Sequence, residues 1–223
     1  MSDGFPPLLK KGEIRTPELC AEAVNQDGRA LQAVPKDLHT LDMCMKSVRQ
    51  FGWILKFVRE DLLENEDLCV AAVEQYGLAL FDVPESLRTR KICCAAFESY
   101  HNVISGIPTE YITPGMYERA VQKCGMCLEC VPEEYKTKFL CEDAIASTGN
   151  ALKYVPESLK TYQLCFDAIK DFLSTIQYVP SDILEKHPDL LQYVRENIDK
   201  VPDWDRGGWI DEYNTLSIKR AIN

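Results

Sequence analysis

Histidine is scarce in this chain, with three among 223 residues, and the motifs that would put one to work are missing. His39, His101 and His187 stand in three unrelated positions. There is no G-x-S-x-G nucleophile elbow and no glycine loop of phosphate-cradling type. A catalytic role is therefore not expected, and no cofactor is implied. Basic residues are also in deficit, 25 against 35 acidic, for a net charge of −10 and a pI near 4.9. Without a basic excess to displace counterions, nucleic acid is not an expected partner. Nowhere do some eighteen apolar residues run together, so no membrane span is expected. The opening Met1-Ser2-Asp3-Gly4-Phe5-Pro6-Pro7 lacks a basic region followed by an apolar stretch of signal-peptide length. The expected location is the cytoplasm, with export into a host cell by a route needing no cleaved signal left open.

What is present is a hydrophobic share of 46%, enough for a packed core, and a strong internal period. Cys20, Cys44, Cys69, Cys93, Cys141 and Cys165 are spaced by 24, 25, 24, 48 and 24 residues, and Tyr117 fills the vacant cysteine position inside the gap of 48. An apolar residue precedes each of the seven: Leu19, Met43, Leu68, Ile92, Met116, Leu140 and Leu164. Three residues after it comes a small one, Ala or Ser47, and then Val, Ile or Phe97. Eight after it stands glycine at 28, 52, 77, 125 and 149, with His101 and Leu173 as exceptions. A Val-Pro or Ile-Pro pair closes each unit except at Val58-Arg59. The chain is thus about seven copies of a 24-residue unit.

Within a unit, Thr16, Thr40, Asn65, Thr89, Thr113, Thr137 or Thr161 stands four residues before the cysteine position, where its side-chain oxygen is suited to cap the first helical turn. Pro17 and Pro114 suit the first helical position, and Glu18, Asp42 and Asp67 complement the helix dipole. The glycine predicts either that one helix ends and a shorter second one carries Ala30-Leu31 to Val34, or that a single helix kinks there. Proline then ends the unit. Units this small must stack to bury their apolar faces, so the fold class predicted is an all-α solenoid. Its expected extent is residues 16–202, after a lead-in of 1–15 and before a tail or cap of 203–223. Leu191, Ile198 and Val201-Pro202 suit a degenerate eighth unit acting as a cap.

The stretch Leu68-Cys69-Val70-Ala71-Ala72-Val73-Glu74-Gln75-Tyr76-Gly77-Leu78-Ala79-Leu80-Phe81-Asp82-Val83-Pro84 resembles the LCxxAVxxxGxALxxVP helical repeat described as a domain of unknown function in bacteria, protists and large DNA viruses. The resemblance implies a helical array of a kind that occurs in proteins which intracellular pathogens deliver into host cells. It carries no catalytic residue to transfer. Tyr117, His101 and Arg59 depart from the pattern.

Ten cysteines invite a metal or disulfide reading. Neighbouring helices pack about 8–10 Å apart, whereas a disulfide needs Cα atoms within about 7 Å, so the repeated cysteines are expected to be buried and reduced. Cys124, Cys127 and Cys130 are a weak metal candidate: spacing of three gathers thiols on one side of a helix, but no second CxxC pair or histidine follows. Cys94 is a candidate exposed thiol with no activating base nearby in sequence. The residue before the glycine is aromatic at Phe51, Tyr76, Tyr100 and Phe172. These rings either pack on the core or form a ladder. In the second case Phe51, Trp53, Tyr76 and Tyr100 are the candidate partner-binding residues, with Trp204 and Trp209 of the tail as further anchors.

The expected function is a non-catalytic protein-interaction module, an effector or adaptor with a protein partner that is basic if charge guides the choice. The alternative is a cytosolic inhibitor, such as an immunity protein, that masks a basic toxin. An enzyme would need a site assembled between repeats, for instance one joining Cys94 or Cys124 to His101.

Overall fold

Each repeat starts where a hydroxyl or amide side chain takes up an unpaired backbone N–H. In the computed structural model, which describes residues 16–200, seven ten-residue helices follow the predicted caps. They are α1 (Pro17–Gln26), α2 (Leu41–Gln50), α3 (Glu66–Gln75), α4 (Arg90–Ser99), α5 (Pro114–Lys123), α6 (Lys138–Ser147) and α7 (Tyr162–Asp171). Thr16, Thr40, Asn65, Thr89, Thr137 and Thr161 each accept a hydrogen bond from the N–H three residues on. Thr113 is the exception: its side chain makes no capping bond before Pro114.

Each of these helices stops at the residue before the glycine position, which turns extended, with φ between −137° and −161°. A six-residue 3₁₀ helix follows, as in Gly28–Ala33, Gly52–Phe57 and Gly77–Asp82. The two-segment reading of the unit therefore holds, and the second segment is 3₁₀ rather than α. Three residues per turn place positions 8, 11 and 14 after the cysteine on one edge. Gly77, Leu80 and Val83 there are all buried. The residue before proline is extended, and a short 3₁₀ turn then leads to the next cap. Arg59 takes φ −64° and ψ 136°, close to the φ −58° and ψ 138° of Pro35, so the unit closes there without a proline.

The chain divides into two compact units, Met1–Ile112 and Thr113–Asn223. The division follows the repeat with His101 in the glycine position and precedes the one with Tyr117. In the first unit α1 to α4 stack on one another and their 3₁₀ helices stack alongside; α5 to α7 do the same in the second. The core lies between these two layers. Leu68, Cys69, Ala72 and Val73 enter it from α3, and Ala79, Leu80 and Val83 from the 3₁₀ helix that follows. No strand occurs among the described residues.

Two ties join successive repeats inside each unit. The glycine N–H donates to a side chain at the end of the next helix: Gly28 to Gln50, Gly52 to Gln75, Gly125 to Ser147 and Gly149 to Asp171. A cation before the next cap reaches a carbonyl of the next repeat: Arg88 to Gly106 at 2.8 Å, Lys136 to Tyr154 at 3.0 Å and Lys160 to Tyr178 at 2.8 Å. The second unit ends with α8 (Ser181–Lys186) and α9 (Asp189–Asn197). Leu190, Leu191 and Val194 of α9 are buried, and α9 packs on α7 and its 3₁₀ helix. Val201-Pro202 lies outside the described residues.

Candidate functional site

The outward face of the first unit's 3₁₀ layer is aromatic. At the ends of α3 and α4 the extended residue brings its Cβ beside the preceding repeat's glycine, so that Tyr76 lies over Gly52 and Tyr100 over Gly77. Core packing does not absorb these rings: Tyr76 is 40% and Tyr100 43% exposed, and Phe51 is half-buried. Phe51 and Trp53 come together, with ring centroids 6.3 Å apart, and Trp53 meets Phe57 at 6.2 Å. The Lys56 ammonium sits 5.5 Å from the Trp53 ring and 5.1 Å from Phe57, and the Arg29 guanidinium 5.5 Å from Phe51. Phe81, 47% exposed, lies against the Gly106 backbone. Asn102 donates to the Tyr100 hydroxyl at 3.3 Å.

Phe57, Leu78, Phe81, Arg29 and Lys56 were not among the residues singled out from sequence. The signal for them is the three-residue period of the 3₁₀ segment, which places Trp53 with Lys56 and Leu78 with Phe81 on one edge. Phe51 and Trp53 are in ring contact, and Tyr76 and Tyr100 occupy the position of Phe51 in the next two repeats; no ring contact joins Tyr76 to Tyr100 among the described residues. The corresponding positions of the second unit carry Cys124, Thr148 and Phe172, then Met126, Asn150 and Ser174, then Glu129, Lys153 and Gln177. The same backbone therefore forms with mostly polar residues there. Trp204 and Trp209 lie outside the described residues.

The repeated cysteines 20, 44, 69, 93, 141 and 165 form no disulfide and are fully buried. Burial pushes the thiols of Cys44, Cys69, Cys93, Cys141 and Cys165 up to about 11. Cys124, Cys127 and Cys130 do not make a metal site: among the described residues no three His, Cys, Asp or Glu side chains are placed to hold an ion. Cys124 is the extended residue ending α5, off the helix that carries the other two, and Cys127 is buried with its thiol pushed up to about 12, far from the thiolate that a metal requires. Cys94 is exposed. His101 packs edge-on against Phe97 at 4.8 Å, and His187 lies 4.3 Å from the ring of Tyr162. His39 is buried, donates from Nε2–H to the Val34 carbonyl, and leaves Nδ1 unpaired; burial lowers its pKa. Surface grooves run between α2 and α3, between α6 and α7, and between the proline turns beside Arg88, and none contains Cys94, Cys124 or His101. No helix of the described residues is long and apolar enough to cross a membrane.

Comparison with known proteins returns a family and no individual relative. No curated protein matches the chain, and no solved structure matches it. One family model matches twice, at residues 40–88 and 116–160, which are the second and third repeats and the fifth and sixth. Over these two stretches the chain is similar to the family described as Domain of unknown function (DUF4116).

Proposed function

We propose that the chain is a protein-interaction module that binds its partner through the aromatic face of residues 51–100. One observation carries this reading. The second unit builds the same pair of layers with Thr148, Asn150 and Lys153 where the first has Tyr76, Leu78 and Phe81, so the fold does not require large apolar groups at those positions. Exposed aromatics that folding does not need are the groups enriched in binding hot spots. A role as an adaptor, or as an effector acting inside another cell, is the form that this activity takes in the proposal.

A second reading rests on charge. Glu60, Asp61, Glu85 and Glu110 lie exposed on successive proline-turn positions of the first unit, a row suited to a basic partner such as a masked toxin. The two readings separate in one experiment. Tagged protein is used to capture partners from lysates of its own cell and of a plausible host, beside a variant with Phe51, Tyr76 and Tyr100 changed to Ala and checked for retained helicity by circular dichroism. Loss of the captured partner by the folded variant supports the aromatic face. Capture that survives in the variant but disappears with added salt supports the acidic row and overturns the first reading.

A further inference from the structure

Two departures from the repeat meet at one place, the junction of the first and second repeats. Position 39, just before the cap of α2, corresponds to Arg88, Lys136 and Lys160, and it holds a histidine. Position 59, where the other repeats carry proline, holds an arginine. Arg88 shows what a cation does before the cap: its Nε donates to the Val83 carbonyl of its own repeat at 3.0 Å and its Nη1 to the Gly106 carbonyl of the next at 2.8 Å. His39 makes only the first of these bonds, from Nε2–H to the Val34 carbonyl at 3.2 Å. The carbonyl that matches Gly106 belongs to Phe57. The shorter histidine does not reach it, and Nδ1 is left buried without a partner.

A neutral imidazole is tolerated in this setting and an imidazolium is not. A second proton turns Nδ1 into a buried donor with no acceptor, and it places a positive charge on a residue that is 4% exposed. The charged groups that face it are Lys36 and Asp37 of its own proline turn and Arg59 of the second repeat. Asp37 opposes the two cations, whereas Asp61 is taken up by the Arg59 guanidinium, with Oδ2 2.9 Å from Nη2. The buried Cys44 thiol beside Arg59 stays neutral throughout the acid range. Desolvation, and after it the two cations, hold the imidazole below its ordinary range.

A repeat in such an array is held by its contacts with its neighbours. Here α1 and its 3₁₀ helix pack on α2, and that 3₁₀ helix also packs on the one of the second repeat. The junction has the glycine tie, Gly28 to Gln50 at 3.0 Å, without the cation tie. We propose that this first junction is a latch released by acid: protonation of His39 frees α1 and its 3₁₀ helix from the second repeat and uncovers Cys20, Val24 and Leu31, while α3 and α4 stay packed. The junction at Arg88 has a permanent cation with both carbonyls bound and does not respond to pH in this range.

The test is amide hydrogen exchange of the full chain between about pH 7.5 and about pH 5, with each rate corrected for its intrinsic pH dependence. Because the folded pKa is the lower one, the contribution of His39 is present above the unfolded value near 6.5 and is lost as pH falls below it. Protection of α1 and Gly28–Ala33 is expected to drop about tenfold for each pH unit between the two values, while α3 and α4 keep theirs. His39→Gln keeps an amide donor and cannot titrate, so the acid step is expected to vanish in it with His101 and His187 still in place. Unchanged protection of α1 in the wild type overturns the proposal, as does an acid step that persists in His39→Gln. Equal losses in α1 and α3 overturn it too, since acid then opens the unit as a whole. If His39→Gln loses its helicity at neutral pH, nuclear magnetic resonance titration of the wild-type imidazole decides instead. Loss of α1 protection must then track the protonation of His39 below its ordinary range, and a protonated His39 in a protected α1 overturns the latch.

Discussion

Glycine at the start of each 3₁₀ helix is a packing requirement before it is a turn signal. A Cβ at Gly77 or Gly149 would stand 2.8 Å from the carbonyl oxygen of Ala96 or Ala168 in the next repeat, and one at Gly52 or Gly125 would overlap the carbonyl oxygen of Ala72 or Ala144. The small residue three after the cysteine is the other half of this contact. Gly52→Ala and Gly125→Ala are therefore expected to cost about 1–3 kcal/mol in denaturant unfolding. Gly115→Ala, where nothing lies within 4 Å and the residue is helical, is expected to gain about 0.5–1 kcal/mol. The cation ties make a second residue-scale case. The Lys160 side chain is 5% exposed and bonds both Glu157 and the Tyr178 carbonyl. Lys160→Met should cost about 1–3 kcal/mol by thermal melting because that carbonyl loses its donor, and Lys160→Arg should recover most of it, since Arg88 makes the equivalent bond.

The buried thiols give the chain a pH dependence whose sign follows from burial. A thiol raised to about 11 in the folded state holds its proton there while the unfolded chain, near 9, has released it. That stability is fully present below about pH 9 and is lost as pH rises through about 11, each thiol contributing roughly 1.4 kcal/mol for every pH unit that separates the two values. Helicity is expected to fall over this window together with a rise in thiolate absorbance in the ultraviolet. Thiolate formation in a fully helical chain would overturn the assignment. His39 acts on the acid side. Its lowered pKa means that the unfolded chain binds the proton first, so its contribution is lost as pH falls below about 6.5.

At the scale of the element, the cap decides where each helix begins and an extended residue where it ends. Thr89, Thr137 and Thr161 accept from the first turn, whereas Thr113 does not. Thr→Ala at the first three is expected to cost about 1 kcal/mol each, and at Thr113 distinctly less, measured by chemical denaturation of the four variants side by side. The 3₁₀ helix survives because only six residues separate the extended residue from the Val-Pro stop. Two turns at three residues each fit that length and put Leu80 and Val83 into the core together.

Across the whole molecule, repetition separates what folding needs from what an individual repeat adds. The buried positions recur in both units, while the outward face of the 3₁₀ layer is aromatic in the first and mixed in the second. Exchanging Tyr76 for Thr and Phe81 for Lys, the residues found at the equivalent positions 148 and 153, is expected to leave the melting temperature within a few degrees, because exposed positions away from buried networks change stability little. If the face is the interaction surface, partner capture falls in the same variant. A large drop in melting temperature would instead assign Tyr76 and Phe81 to the core.

The amino-acid sequence by itself determined the repeat, its start at Thr or Asn and its end at Val-Pro, and the burial of the repeated cysteines. Each of these follows from local preference or from apolar positions recurring in register. Only the tertiary structure decided that the second segment is a 3₁₀ helix, that Thr113 leaves its helix uncapped, and that Tyr76 and Tyr100 stand out from the surface. A ring one residue before the glycine reads as core on an α-helical wheel. In the folded chain that residue is extended, its Cβ lies across the glycine of the preceding repeat, and the close approach between repeats leaves the ring no interior to enter.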